Sequence, residues 1–159
     1  AIAYNAGVLN RNFMGYTHSQ PGTIVGLGCS SISESWAGFA QNEPSVESYI
    51  EHINNGSFAL VKGHLHTEAD RKIGKHITSL MCMGKTSFTI SEEHEEWFWP
   101  FRQRTNFLEF DGLVRWENGA TTLVIPKGGN IFARLVAFQL DLRYWENDQQ
   151  TSQRFSKAV

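Results

Sequence analysis

The chain has 159 residues, of which 41% are hydrophobic and 19% are charged, and its formal net charge is −2 at pH 7. A chain of this length forms one domain, or one domain plus part of another, and needs no disulfide or metal to build a core. The evenly mixed charge argues against a nucleic-acid partner. No apolar run approaches the roughly 20 residues that span a membrane. We therefore expect a cytoplasmic protein that binds neither nucleic acid nor a membrane.

The N-terminal part predicts two strands that lack a complete sheet. After a short helical segment that ends at Gly7, strands are predicted over 12–17 and 23–31, separated by the Pro21-Gly22 turn. The second run is apolar almost throughout, as in a strand buried on both faces. Two buried strands do not fold alone, so they are expected to belong to a larger sheet. Gly26 and Gly28 are interpreted as close backbone packing inside this strand, and a loop is predicted over 33–44.

The middle of the chain is typical of helices. Val46, Ile50 and Ile53 recur at helical spacing after Pro44, and Asn55-Gly56 predicts the end of that helix. A strand is predicted over 58–66. The segment 67–70 is typical of a helix start, and Gly84 predicts the end of the helix that follows.

The last part predicts a winged-helix arrangement of helix, helix, hairpin and helix. Its segments are a helix over 91–110 that Pro100 kinks, a hairpin over 113–125 with an Asn118-Gly119 turn, and a helix over 128–145. The acidic run at 92–96 would repel DNA phosphates, and it is interpreted as a solvated helix start. The aromatic residues at 97–101 are expected in a core or an interface, with a wall against a flat ring as the alternative.

Few side chains in this chain are suited to metal binding. Cys29 and Cys82 both lie in apolar sequence and are predicted to be buried free thiols in a reducing compartment. Two thiols are too few for a four-iron cluster, which ordinarily takes three or four. His64, His66 and His76 leave a zinc site as a weaker alternative to ordinary surface histidines.

Several segments together resemble the C-terminal third of the oxygen-independent coproporphyrinogen III oxidases, which are radical S-adenosylmethionine enzymes of haem biosynthesis. The resemblance rests on the order and spacing of these segments rather than on any one of them. They are Leu9-Asn-Arg-Asn-Phe-Met-Gly-Tyr-Thr17, Gly26-Leu-Gly-Cys-Ser-Ser-Ile-Ser33, Ala40-Gln-Asn42, Lys62-Gly-His-Leu-His-Thr67, Asp111-Gly-Leu-Val114 and the tail at 153–159.

The resemblance implies an α+β fold in two parts. Residues 1–38 would be the last strands of a truncated α/β barrel, and residues 39–159 a mainly helical, winged-helix-like domain that covers the active site. The parent protein would hold a 4Fe-4S cluster and S-adenosylmethionine in that barrel. A radical generated there would oxidatively decarboxylate two propionate side chains of coproporphyrinogen III. This chain has no cluster-binding loop and begins without Met, so it is expected to be a non-catalytic fragment that binds no cofactor itself and partners the missing barrel and a tetrapyrrole. The alternative is a free-standing haem- or tetrapyrrole-binding module.

The resemblance also implies two cofactor contacts and two departures. Ile32 corresponds to an apolar residue near a second S-adenosylmethionine, and Met14 lies where the family usually has a Gln that hydrogen-bonds that molecule. A thioether is a poor substitute for an amide. The segment 128–133 also lacks the arginines that the family carries, and Arg134 is displaced by one position. Neither a catalytic residue nor a metal ligand is predicted within the chain.

Overall fold

The computed structural model describes residues 2–19 and 21–145, and it mixes helices with antiparallel sheets. The tail motif at 153–159 lies outside the described residues. The chain forms two compact units, residues 1–74 and 75–159, and the boundary falls within a long helix.

The first unit is built on a four-stranded antiparallel sheet. Its strands follow one another in the order β3-β4-β5-β6, and a separate hairpin, β1-β2, precedes them. The elements of this unit are α1 (Ile2–Asn5), β1 (Asn10–Asn12), β2 (Gly15–Thr17), β3 (Thr23–Ile24), β4 (Ile32–Ser35), β5 (Gly38–Asn42), α2 (Val46–Asn54), β6 (Leu60–Leu65) and the start of α3 (Glu68–Met83).

The predicted buried strand over 23–31 is wrong beyond Ile24. Gly28 has a φ of 93°, which ends the extended conformation, and a Cβ at Gly26 would lie 2.8 Å from the backbone of Ile32. The close packing predicted at these glycines is therefore present, but in a loop. Because the loop faces outward, Leu27 is 85% exposed, and Cys29 is exposed rather than buried.

The buried side chain of Asn42 holds this loop to the sheet. Its Nδ2 donates to the carbonyl oxygens of Gly26 (3.3 Å) and Gly28 (3.0 Å) and contacts the hydroxyl of Ser31 at 3.0 Å. The hydroxyl of Tyr49, on α2, accepts a hydrogen bond of 3.2 Å from the amide of Gly28. The motif Ala-Gln-Asn thus has a structural role, because its last residue satisfies backbone groups that no strand pairs.

The segment 33–44, predicted to be a loop, forms most of the hairpin β4-β5. Its two serines and Gly38 are typical of loops, but its odd and even residues alternate between the two sheet faces. Helix α2 was predicted correctly, and the hydroxyl of its N-cap Ser45 accepts a hydrogen bond from the amide of Ser48. Its apolar positions Val46 and Ile50 stay about half exposed, at 51% and 50%.

The second unit surrounds a three-stranded sheet with short helices. After the end of α3 it contains β7 (Lys85–Ser87), α4 (Ile90–Glu93), α5 (Phe98–Arg104), α6 (Asn106–Phe110), β8 (Arg115–Glu117), β9 (Thr122–Val124), a 3-10 helix (Gly129–Phe132) and α7 (Ala133–Phe138). The strand order is β7-β9-β8, so the hairpin predicted from Asn118-Gly119 is present with an additional, unpredicted strand. Fully buried apolar side chains from these elements form the core: Leu80, Phe101, Leu108, Leu123, Val136 and Leu140.

Two predicted helices of this unit differ from the structure. The helix over 91–110 is three short helices, and Pro100 lies in the first turn of α5, where a missing N–H costs no helical hydrogen bond. The break therefore comes before the proline. The last predicted helix is divided into a 3-10 helix, α7, which ends at Phe138, and a further helical segment at 142–145.

Candidate functional site

One face of the four-stranded sheet collects polar and aromatic side chains around Ile32. In the antiparallel register, Glu34 on β4 lies opposite Phe39 on β5, and Phe39 lies opposite His64 on β6. The next row on the same face pairs Ile32 with Gln41 and Gln41 with Lys62. We call these six residues the Ile32 face: Ile32, Glu34, Phe39, Gln41, Lys62 and His64.

Aromatic rings cover part of this face. The Phe13 ring, from the turn between β1 and β2, meets the Phe39 ring edge-on with centroids 5.7 Å apart. His64 and His66 lie 5.8 and 6.2 Å from Phe39 by the same measure. The turn thus packs Phe13 beside the sheet, and this contact was not predicted from the sequence.

Met14 follows Phe13 in the turn between β1 and β2 and is more exposed than Phe13. Its side chain is 89% exposed, and its amide donates to Oδ1 of Asn12 at 2.9 Å. Ile32 is half-buried on β4. Of the two residues predicted from the resemblance, only Ile32 therefore lies on the sheet face, and the cofactor contacts of both remain predictions.

Two acidic groups near this face have different surroundings. Asp70 accepts from the amide and hydroxyl of Thr67, each at 2.9 Å, and lies 2.8 Å from Nε2 of His64. Glu34, in contrast, has a buried Oε2 with no hydrogen-bond partner among the residues that the structure describes. A buried carboxylate oxygen without a partner is costly, and Nε1 of Trp97 and Oε1 of Gln139 in the second unit are in the same state.

The second unit contains a buried polar network centred on His76. Its Nδ1 lies 2.8 Å from the hydroxyl of Thr86, its Nε2 lies 3.1 Å from Oε1 of Glu92, and its ring stacks on Phe88 with centroids 4.3 Å apart. Burial lowers the pKa of His76 below its ordinary value, although the hydrogen bond to Glu92 opposes this. With a neutral ring, Nε2–H donates to Glu92 and Nδ1 accepts from Thr86.

The acidic run at 92–96 was interpreted as a solvated helix start, but its first residue, Glu92, is buried. It is 8% exposed, and it closes a capping box with Thr89, whose amide donates to Oε2 at 2.7 Å. Burial by itself raises the pKa of Glu92, but the hydrogen bonds from Thr89 and His76 outweigh burial and lower the pKa. The polar side chains of this network form hydrogen bonds with one another, so we assign the network a structural role.

The other sequence-based site alternatives are not supported. Within the described ranges, no group of three His, Cys, Asp or Glu side chains could hold a metal ion, and both nitrogens of His76 have protein partners. Trp97, Phe98 and Phe101 belong to the core, as predicted, so Trp99 is the one exposed ring of the expected aromatic wall. Cys82 is buried, as predicted.

The known proteins most relevant to this chain carry the same enzyme name. No family model matches the chain. The chain is 34% identical over 148 residues to an oxygen-independent coproporphyrinogen III oxidase of Cereibacter sphaeroides, covering 89% of this chain and 32% of that protein. The enzyme of the same name from Pseudomonas aeruginosa is 30% identical and covers 100% of this chain and 35% of its own length.

A solved structure agrees with the sequence relatives. The coproporphyrinogen III oxidase of Escherichia coli, described as a radical SAM enzyme, superposes with a TM-score of 0.79 at 26% identity, over 90% of this chain and 34% of that one. Our chain matches the C-terminal portion of the oxygen-independent coproporphyrinogen III oxidases. It spans about a third of the length of these curated relatives.

Two properties of the chain bear on the cofactors of radical SAM oxidases. The chain has two cysteines, one exposed and one buried, and these do not fit the three or four thiolates of a 4Fe-4S cluster. Near Ile32, one carboxylate oxygen of the half-buried Glu34 is buried without a partner among the described residues, and a positively charged group would fit there. No helix in the described part of the chain is both long and apolar enough to cross a membrane.

Proposed function

We infer that this chain is the C-terminal part of an oxygen-independent coproporphyrinogen III oxidase and that it acts within that enzyme as a cover that helps to bind substrate. The observation that carries the proposal is the similarity along the whole chain to one third of the Pseudomonas aeruginosa enzyme. The agreement of the fold with the Escherichia coli oxidase also supports it.

The two-part organisation belongs to the same proposal. The second unit has the short helices and the β8-β9 hairpin that a winged-helix-like cover needs. Exposed apolar side chains in the first unit, such as Val25 (72%) and Leu27 (85%), fit a surface that barrel strands from the preceding part would bury. The division into barrel strands at 1–38 and a cover at 39–159 remains a prediction.

The side chains of this chain indicate which tasks it could perform and which belong to the part of the enzyme that precedes it. The cluster would be held by the part of the enzyme that precedes this chain, because two cysteines are insufficient. S-adenosylmethionine supplies radical chemistry when it is bound to such a cluster. The Ile32 face and the Phe13 ring would position ligand atoms, and the second unit would keep water away from the reacting groups.

The test compares the longer protein with this chain. Both are supplied anaerobically with iron, sulfide, a reductant, S-adenosylmethionine and coproporphyrinogen III, and carbon dioxide and protoporphyrinogen IX are measured. We expect turnover by the longer protein and none by the 159-residue chain. An inactive longer protein with a fully assembled cluster would contradict the assigned reaction, and turnover by the chain alone would contradict its role as a cover.

A further inference from the structure

We propose that the second unit carries a binding surface for the carboxylates of a tetrapyrrole, and that Arg134 is the cation at its centre. The surface combines exposed apolar side chains with unpaired cations, and we call it the Arg134 surface: Lys85, Lys127, Ile131, Phe132, Arg134 and Leu135. Resting on the proposed function, the inference names which residues of this chain would bind the substrate and which groups of the substrate they recognise.

The first argument is that the outward side of the last two helices of this unit is apolar. The 3-10 helix and α7 bury Ala133 and Val136 in the core, which leaves the opposite side in solvent. On that side Ile131 is 81% exposed, and Phe132 and Leu135 are 38% and 40% exposed. A surface helix usually carries polar groups on its outward side, so these apolar side chains indicate a surface that contacts another molecule.

The second argument is the positive charge around these apolar side chains. Arg134 follows Ile131 by three residues, so the two side chains are neighbours on one side of the helix. Arg134 is exposed and has no ion-pair or hydrogen-bond partner among the residues that the structure describes. Lys85 and Lys127 are likewise exposed and unpaired within the described ranges.

The fold brings the third cation, Lys85, to the same end of the unit. It pairs with Val124, the last residue of β9, and the chain continues from there to Lys127 and the 3-10 helix. A Cβ at Gly84, next to Lys85, would lie 3.2 Å from Oδ1 of Asn130 in the 3-10 helix. The start of β7 therefore lies against the helix that carries Ile131.

Nearby acidic side chains leave this charge unbalanced. The segment 119–140 contains neither Asp nor Glu. Glu117, on β8, is engaged by Arg115 at 2.6 Å. Asp111, on the turn after α6, is exposed and forms no ion pair within the part of the chain that the structure describes. The three cations are therefore available to an anionic ligand.

A tetrapyrrole with propionate groups fits both features of the surface. Coproporphyrinogen III presents four carboxylates around an apolar macrocycle, and oxidative decarboxylation removes two of them. The guanidinium of Arg134 can bind one carboxylate through two parallel hydrogen bonds, and each lysine can pair with another as a point charge. Ile131 and Leu135 would contact the ring beside those carboxylates. The carboxylates that are retained would thus orient the ring for the ones that react.

The ligand class is tested with probes that separate the carboxylates from the ring. Coproporphyrin III has four carboxylates, mesoporphyrin IX has two on a similar ring, and pyromellitate has four on a single benzene ring. In fluorescence titrations of the 159-residue chain, we expect coproporphyrin III to bind about fivefold more tightly than mesoporphyrin IX. Added salt should weaken its binding, and pyromellitate should displace it only in large excess.

Two outcomes of these titrations would overturn the proposal. Equal or tighter binding of mesoporphyrin IX would show adsorption of an apolar ring without a role for the additional carboxylates. Displacement of coproporphyrin III by an equal concentration of pyromellitate would show a surface that takes anions in general.

The deciding variant is Arg134→Gln, with Lys75→Gln as its matched control. Lys75 is an exposed cation of the same unit, on α3, so its replacement removes the same charge away from the Arg134 surface. We expect Arg134→Gln to weaken binding of coproporphyrin III about five- to tenfold, because a paired carboxylate loses its partner. Lys75→Gln should leave the affinity unchanged. Equal effects in both variants, or no binding to the unmodified chain, would refute the assignment.

A second variant, Lys127→Gln, tests the surface without changing the helix. Its affinity for coproporphyrin III should fall in the same direction as that of Arg134→Gln, and both variants should melt at the temperature of the unmodified chain, because both positions are exposed. Unchanged affinity in Lys127→Gln would contradict a surface built from several cations.

The longer protein separates this inference from the proposed function. There, Arg134→Gln should raise the KM for coproporphyrinogen III about five- to tenfold. Turnover with an unchanged KM would refute only the Arg134 surface. An inactive longer protein that still binds coproporphyrin III through Arg134 would refute only the proposed function.

Discussion

At the scale of single residues, His76 shows how burial changes the role of an ionisable group. Its ring is 1% exposed and is held by Thr86 on one side and Glu92 on the other. From the sequence it was expected at the surface, because its partners lie 10 and 16 residues away and no local pattern joins them. The neutral ring forms hydrogen bonds with the buried groups Thr86 and Glu92. Protonation of the ring is therefore expected to change the free energy of unfolding.

This burial predicts a pH dependence with a definite sign. The pKa of His76 is lowered in the folded state, so between that pKa and the ordinary value of 6.5 the unfolded chain binds the additional proton. The free energy of unfolding should therefore fall as the pH drops below 6.5. Glu92, whose pKa is also lowered, affects stability only at lower pH, below its ordinary 4.5.

Urea unfolding between about pH 7.5 and about pH 5.5 checks the assignment to His76, because histidine is the side chain that titrates in this range. The variant His76→Gln removes the titrating group, and we expect it to unfold more easily at pH 7.5 but to show a shallower loss on acidification. His52→Gln, at an exposed histidine of α2, should keep the slope of the unmodified chain. An unchanged slope in His76→Gln would mean that other groups determine the acid sensitivity.

At the scale of elements, the loop between β3 and β4 depends on one amide side chain. Asn42 presents its Nδ2 to two carbonyl oxygens, so a carboxylate at that position would face acceptors instead of donating to them. We expect Asn42→Asp to lower the free energy of unfolding by about 2–3 kcal/mol, because the two carbonyls lose their donor and a charge is buried among them. Amide hydrogen exchange should rise at Gly28 and Ser30.

The matched control for this prediction is Asn54→Asp, which makes the same replacement at an exposed position near the end of α2. Its effect should stay within about 0.5 kcal/mol, as for most surface substitutions. If the two variants lost the same stability, the loop would not depend on the hydrogen bonds of Asn42.

Elements with local signals were predicted well, and elements that depend on distant partners were not. Helix α2 follows from apolar residues at helical spacing and the Asn55-Gly56 end, and the β8-β9 hairpin from an Asn-Gly turn; both signals act over a few residues. The apolar run after Thr23 resembles a buried strand, but the glycines and the Asn42 contacts make it a loop. The β4-β5 hairpin was missed although its pairing is local, because its Trp36-Ala37 turn lacks the Asn-Gly or Asp-Gly signal of a hairpin.

The candidate site was predictable to a smaller extent for the same reason. Ile32 and Met14 came from the family resemblance, and only Ile32 lies on the sheet face. Glu34 and Phe39 become neighbours through strand register, which a sequence shows only as an alternation in each strand. The segments Ile-Ser-Glu-Ser at 32–35 and Gly-Phe-Ala-Gln-Asn at 38–42 show no regular alternation of apolar and polar residues that would have given this register.

At the scale of the whole molecule, the loop that carries Val25 and Leu27 combines rigidity with apolar exposure. Hydrogen bonds from Asn42 and to Tyr49 hold its backbone, yet the two side chains are 72% and 85% exposed. Hydrogen bonds thus hold this loop in a conformation that exposes apolar side chains. Such exposure is typical of a surface that a partner covers. Under the proposed function, that partner is the part of the enzyme that precedes this chain.

Cysteine labelling tests whether this loop is covered. In a Cys29→Ser background, Leu27→Cys places an accessible thiol on the loop, and Ser57→Cys places one at an exposed position after α2. We expect a maleimide reagent to label both thiols rapidly in the 159-residue chain. In the longer protein, labelling at position 27 should slow by at least about tenfold, because burial restricts access of the reagent to the thiolate, and labelling at position 57 should stay fast. Equally fast labelling at position 27 in both proteins would mean that the loop stays exposed, and the apolar surface would then require a partner other than the preceding part of the enzyme.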